Sequence, residues 1–171
     1  MIPARTVCFS HGQESGPWGT KITVLAEYVR ASGWVADSVD YRGIESPSDR
    51  TDRLIDHCRG IQGSLVFVGS SMGGHVAAAA SRQVSVDGLF LIAPAFYMPG
   101  FEDLTPVPHA EQICVVHGWR DDVVPVANSI RWSSEFGAEL HVLDGDHRLT
   151  DQLDDLQALL GRFLEKMPLA Q

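Results

Sequence analysis

An α/β fold, with a parallel sheet covered by helices on both faces, is what this chain predicts. Two observations carry that expectation. Short, wholly apolar runs such as Leu65-Val66-Phe67-Val68 alternate with longer stretches whose apolar residues recur at helical spacing. Strands buried on both faces have that uninterrupted apolar character. The distinctive polar and glycine-rich segments fall just after the apolar runs. Those positions are the carboxyl ends of the strands, where such sheets gather their functional loops.

The elements follow in order. Residues 6–10 read as a first strand, and Ile22, Leu25, Ala26 and Val29 supply the buried face of a helix that Gly33 ends. Residues 34–41 are a second strand. Ser46, Pro47 and Asp49 then form a helix start, with serine as N-cap, proline at the first position and an acid in the first turn. Leu54, Ile55, Cys58 and Ile61 face that helix inward. Residues 65–69 form a third strand, followed by an alanine-rich helix. Strands over 88–93, 113–117 and 139–143 complete a compact, mainly parallel, six-stranded sheet, with a helix over 125–136 between the last two. Residues 149–167 close the chain as a helix on Leu149, Leu153, Leu156, Leu160, Phe163, Leu164 and Met167. The one irregular stretch, 94–111, holds Pro94, Pro99, Pro106 and Pro108 and is too short for a separate domain, so residues 1–171 are expected to form one domain without a substantial lid.

Composition narrows the function classes. The 171 residues suffice for a sizeable core, and the net charge of -9 disfavours nucleic acid or an anionic membrane as partner. No apolar run is long enough to span a bilayer, and the opening Met1-Ile2-Pro3-Ala4-Arg5 lacks the pattern of a secretory leader. Cys8, Cys58 and Cys114 are odd in number and sit among apolar neighbours, as reduced core residues of a cytoplasmic protein do. No histidine and carboxylate spacing suggests a metal, and no glycine-rich dinucleotide motif follows the first strand, so no cofactor is expected.

The chemistry concentrates at Ser71. It is the centre of Gly69-Ser70-Ser71-Met72-Gly73, a G-x-S-x-G pattern between an apolar strand and a helix-forming stretch. In that context a serine is held in a tight, strained turn, with its hydroxyl pushed above the sheet edge at a helix start. A turn serine can instead cap the helix behind it. A serine nucleophile needs a base, and His147, in Leu143-Asp144-Gly145-Asp146-His147 after the last strand, is the best placed of seven histidines. An orienting carboxylate is available in His117-Gly118-Trp119-Arg120-Asp121-Asp122 after the fifth strand. Asp121 is the choice and Asp122 the competitor, with one of them expected to cap the next helix. Two backbone donors for an oxyanion are expected at Met72, next after the nucleophile, and at Gln13, in the loop Ser10-His11-Gly12-Gln13 that His11 buttresses.

Taken together, His11-Gly12, Gly69-x-Ser71-x-Gly73, His117-Gly118-x-x-Asp121-x-x-Val124-Pro125 and Gly145-x-His147 resemble a small, lidless serine hydrolase of the α/β-hydrolase superfamily. The order Ser, Asp, His along the chain matches that fold. The opening stretch 11–21 also resembles small bacterial esterases of the YqiA-like type. The resemblance implies Ser71 as nucleophile, Asp121 as acid, His147 as base, and oxyanion donors at Gln13 and Met72. The implied partner is a small, accessible ester or thioester. An amidase or peptidase on the same three residues, or a binding protein that keeps the fold without turnover, are the alternatives. Trp18, Phe96, Tyr97 and Trp119 lie in loops at the same sheet edge and are expected to line a shallow substrate pocket.

Overall fold

The computed structural model describes residues 3–101 and 105–168. Met1, Ile2 and residues 102–104 of the irregular loop lie outside the described residues. Six strands are present among those described: β1 (Arg5–Ser10), β2 (Val35–Val39), β3 (Ser64–Ser70), β4 (Gly88–Ile92), β5 (Gln112–Gly118) and β6 (Glu139–Leu143). They form one sheet in the order β2-β1-β3-β4-β5-β6, and every neighbouring pair is parallel. The chain therefore starts inside the sheet, moves out to the β2 edge, and returns past β1 to build the other half. The reversal leaves a switch point between β1 and β3, where a crevice opens beyond the carboxyl ends of the strands.

The period-2 alternation of the strands divides the core into two. Val7, Phe9, Val66, Val68, Phe90, Ile92 and Val116 face α1 (Thr20–Ala31) and α5 (Leu153–Glu165). Cys8, Phe67, Leu89, Leu91 and Val115 face α2 (Pro47–Cys58), α3 (Met72–Ala80) and α4 (Val126–Phe136). Reversing the direction of travel across the sheet while keeping right-handed crossovers puts α1 and α2 on opposite faces. The inner strands β3 and β4 are buried on both sides, whereas β2 and β6 at the edges are partly exposed and carry the polar residues Asp37, Ser38 and His141.

Local chemistry sets the helix ends. Ser46 Oγ accepts the Asp49 amide at 3.2 Å and Pro47 opens α2, so the predicted cap is the one formed. Such a cap stabilises the helix by about 1 kcal/mol. The second strand is shorter than the sequence suggests, because the chain turns out of the sheet after Val39 and the Ile44 amide bonds back to the Tyr41 carbonyl at 2.9 Å. The last helix begins later than its apolar spacing implies. Asp146 Oδ1 takes the amides of Arg148 and Leu149, each at 3.0 Å, and Leu149 has φ 52°. A short 3-10 turn, Thr150–Gln152, then leads into α5. The side chain of Leu149 is buried all the same, which is why it fits the apolar pattern.

Candidate active site

The turn at Ser71 joins β3 to α3 with almost no room. A Cβ on Gly73 would lie 1.9 Å from the Ser10 carbonyl oxygen, and one on Gly69 would lie 2.5 Å from the Gly73 carbonyl oxygen. Only glycine lets the β1 exit, the β3 end and the helix start approach this closely. Ser71 itself has φ 55° and ψ -121°, a costly backbone state for a residue with a side chain. Its backbone is held on several sides: its amide donates to Ile92 O at 2.9 Å, and its carbonyl accepts from the Gly74 and Ala95 amides, each at 3.0 Å. The side chain makes no capping bond to α3. Instead Ser71 Oγ lies 3.1 Å from His147 Nε2.

His147 arrives from the loop after β6. That loop is stitched to the one after β5: the Trp119 amide donates to Leu143 O and the Arg120 amide to Gly145 O, each at 2.9 Å. From α1, Lys21 Nζ donates to the Arg148 carbonyl at 3.1 Å, and burial pulls this ammonium down to about 8. His147 Nδ1 donates to Asp121 Oδ2 at 2.7 Å. Nε2 is thus left as the acceptor for the Ser71 hydroxyl, the tautomer that removes a proton from serine.

Asp121 is fully buried at its side chain and accepts on both oxygens. Oδ1 takes the Val123 and Val124 amides at 2.8 and 2.7 Å, and Oδ2 takes His147 and, at 3.0 Å, His117 Nε2. Burial by itself would raise this carboxyl. The bonds from His117, His147, Val124 and Val123 outweigh it and hold the group well below the ordinary carboxylate range. His117 is buried as well. Its Nδ1 pairs with Ser129 Oγ at 2.7 Å, and its Nε2–H is shared between Asp121 and the Val124 carbonyl. Asp122 lies at the surface outside this arrangement, and α4 has no side-chain cap from either acid, so the expected capping role is filled by neither.

The loop after β1 closes the other side of Ser71. A Cβ on Gly12 would lie 3.4 Å from Ser71 Cβ, so the Gly12 backbone runs directly against the serine. The amides of Gln13 and Met72 donate to no protein acceptor among the described residues. His11 is buried behind them: its Nε2 accepts the Tyr41 amide at 2.9 Å and its Nδ1–H donates to Gly12 O at 2.7 Å.

The fold as a whole superposes on several solved structures. A candidate hydrolase of the α/β superfamily from Xanthomonas campestris pv. campestris superposes with a TM-score of 0.88 at 29% identity, covering 97% of this chain and 100% of the other. An α/β serine hydrolase without a lid, also from Xanthomonas campestris, gives 0.81 at 22% identity over 98% and 84% of the two chains. The mouse α/β-hydrolase domain-containing protein 10 gives 0.82 at 18% identity over 97% and 92%. This chain has the α/β-hydrolase fold. No protein-family model matches it, and no curated protein is similar to it at the sequence level.

Within that hydrolase fold the expected aromatic pocket does not form as the sequence suggests. Phe96 is fully buried and stacks on Trp132, with centroids 4.2 Å apart and planes at 14°, so it belongs to the core and not to a substrate wall. Tyr97 turns away onto α4, where its hydroxyl meets Glu135 at 3.2 Å and its ring lies under Arg131 at 4.2 Å. Trp18 and Trp119 stay exposed, at 47% and 59%. A groove of about 760 Å³ lies beside the β1 loop, lined by Gln13 to Gly16, Arg42 to Glu45 and Arg50, and neither Ser71 nor His147 is in its wall. None of the four aromatic residues lines it.

Among the described residues, two groups of side chains are close enough to share an ion, and neither includes Ser71. Cys8, Asp37 and His57 form one, and Cys114, Glu139 and His141 the other. In the first, His57 Nε2 and Asp37 Oδ2 pair at 2.6 Å; in the second, Glu139 also pairs with Lys166 Nζ at 2.8 Å. Neither takes part in the Ser71–His147–Asp121 chain. The site residues missed by sequence reasoning are Lys21, His117 as a partner of Asp121, and Arg50. His117 and Asp121 stand four apart in the motif already singled out, and Arg50 occupies the buried stripe of α2 with Leu54 and Cys58, an unusual place for a charge.

Proposed function

We propose that this chain is a serine hydrolase that cleaves a carboxylic ester or thioester through an acyl-enzyme. The observation that carries the reading is the unbroken hydrogen-bonded chain from Ser71 Oγ to His147 (3.1 Å) to Asp121 (2.7 Å), ending at a buried carboxylate. His147 Nε2 takes the hydroxyl proton as Ser71 Oγ attacks the substrate carbonyl. Asp121 fixes the Nδ1–H tautomer and stabilises the imidazolium that forms. The oxygen of the tetrahedral intermediate is met by the Gln13 and Met72 amides, beside the positive end of α3. The C–O or C–S bond then breaks, and His147 protonates the leaving alcohol or thiol. Water, activated by the same imidazole, attacks the acyl-enzyme and releases the acid.

Trp18 and Trp119, exposed in loops at the sheet edge that bears Ser71, favour small, accessible substrates over long acyl chains that need a covered tunnel. Similarity to α/β hydrolases supports hydrolysis as the reaction class. Among the described residues no helix is long and apolar enough to cross a membrane. A cytoplasmic setting fits the three free buried cysteines.

The test is labelling with a fluorophosphonate probe followed by peptide mass spectrometry. We expect a single adduct on Ser71, lost in Ser71→Ala and in His147→Ala, and turnover of matched esters over amides of the same acyl group. Folded protein that takes up no probe sinks the hydrolase reading. Faster cleavage of the amides replaces esterase with amidase.

A further inference from the structure

Arg50 is a buried charge without a carboxylate. It is 3% exposed, and among the described residues it enters no ion pair. Removing a guanidinium from water without an opposite charge is expensive, and a packing role would be met more cheaply by leucine or methionine. What the guanidinium does is hold backbone carbonyls. Nε donates to Ile44 O at 2.7 Å, Nη1 to Gly12 O at 3.1 Å and Nη2 to Gln13 O at 3.4 Å. Its planar fork thereby joins the loop after β1 to the loop after β2, while its face lies 5.3 Å from the Tyr41 ring centre.

The Gly12 carbonyl is the informative partner. It accepts from His11 Nδ1 at 2.7 Å and Arg50 Nη1 at 3.1 Å, with Ser15 Oγ farther off at 3.5 Å, so an oxygen with two lone pairs is fully engaged. The Gly12 C=O and the Gln13 N–H belong to one planar trans peptide and point in opposite directions. Holding the oxygen from the α2 side fixes the direction of the N–H on the other side. The same contact polarises the peptide. A cation on the carbonyl oxygen draws electrons from the amide nitrogen and makes its hydrogen a better donor. Gly12 meanwhile packs against Ser71, so this peptide is fixed relative to the nucleophile as well.

We propose that Arg50 is a positioning residue that aims and polarises the Gln13 amide as an oxyanion donor. This rests on the hydrolase reading above, in which Gln13 stabilises the tetrahedral intermediate. Arg50 touches no reacting atom and acts only through the Gly12 peptide.

The experiment compares wild type, Arg50→Lys and Arg50→Met, with Ser71 labelling in wild type as the first arm. Activity on a small activated ester is then measured as kcat, KM and pH profile, and folding is checked by Tm. Complete loss of an oxyanion donor costs about 10²–10³-fold in kcat, so a misdirected donor is expected to cost about 10–100-fold in Arg50→Met. KM should stay within about twofold and the acid limb of the profile should not move, because an oxyanion donor acts on the transition state and not on the base. Arg50→Lys, which reaches one carbonyl at a time, should fall between. If Arg50→Met does not fold, the kcat of Arg50→Lys decides alone, with a threefold or greater loss at unchanged KM supporting the role. Unchanged kcat in a folded variant overturns it while leaving the hydrolase intact, as does a loss in kcat accompanied by a shifted acid limb or raised KM, which marks general loosening. No Ser71 labelling in wild type overturns both readings together, and is told apart by occurring before any substitution at Arg50.

Discussion

Replacing Asp121 by asparagine changes one atom and should abolish nearly all activity, for a reason the hydrogen bonds dictate. Oδ1 accepts two backbone amides, from Val123 and Val124 at 2.8 and 2.7 Å. An asparagine must keep its oxygen there, because an NH₂ group cannot face two N–H donors. Its NH₂ then replaces Oδ2 and points at His147 Nδ1 and His117 Nε2. His117 retains the Val124 carbonyl as an alternative acceptor at 2.9 Å. His147 has no such alternative, so its proton moves to Nε2 and faces Ser71 Oγ, where the imidazole donates and no longer accepts. A histidine in the wrong tautomer costs about 10⁴ in kcat, or about 5 kcal/mol of barrier. The assay is kcat/KM for a small activated ester at neutral pH, with Asp122→Asn as control, since that exposed acid lies outside the arrangement. The control should stay within about twofold of wild type, inside the range of ordinary surface substitutions.

The same substitution carries a pH signature. The folded Asp121 carboxyl is held below its ordinary value by four donors despite its burial. In acid the unfolded chain therefore takes up a proton that the folded chain refuses. The stabilisation from the ionised carboxylate is full above the unfolded value of about 3.9 and drains away as the pH falls toward the lower folded value. The Tm advantage of wild type over Asp121→Asn should therefore be largest near neutrality and narrow below about pH 4. A folded asparagine variant that loses less than about tenfold in kcat/KM would refute the tautomer argument. A Tm difference that widens on acidification would refute the reading of a carboxylate stabilised in the folded state.

Two further substitutions separate the elbow from the core. Gly73→Ala places a Cβ 1.9 Å from Ser10 O and 2.6 Å from His11 O, both backbone, so β1 and α3 must part; we expect a loss of about 3 kcal/mol by chemical denaturation and no Ser71 labelling, and a wild-type labelling rate would show that the close approach is dispensable. Phe96→Ala removes a fully buried ring stacked on Trp132. It should cost about 3–5 kcal/mol while leaving the order of preference in an ester panel unchanged, and a changed preference in a still-stable protein would return Phe96 to the substrate pocket.

Much of this molecule was legible in one dimension because its signals are local. The double-faced apolar runs, the Ser46-Pro47 helix start and the glycine-flanked serine each encode their geometry within a few residues, through side-chain period, capping and steric freedom. Polar segments at successive strand exits pointed to one sheet edge, because parallel strands all end on the same side. Contacts between distant segments were another matter. Asp121 and Asp122 are neighbours with the same chemistry, and only the path of the loop decides which carboxylate is buried beneath His147. Phe96 and Tyr97 read as pocket residues until Trp132 and Glu135, more than thirty positions away, draw them into the core and onto α4. Arg50 shows both sides of the matter. Its helical spacing with Leu54 and Cys58 put a charge on a buried stripe, but its partners, the carbonyls of Gly12, Gln13 and Ile44, exist as a set only once two loops and a helix have packed together. Periodicity determines which way a side chain faces; the sheet topology decides what it meets there.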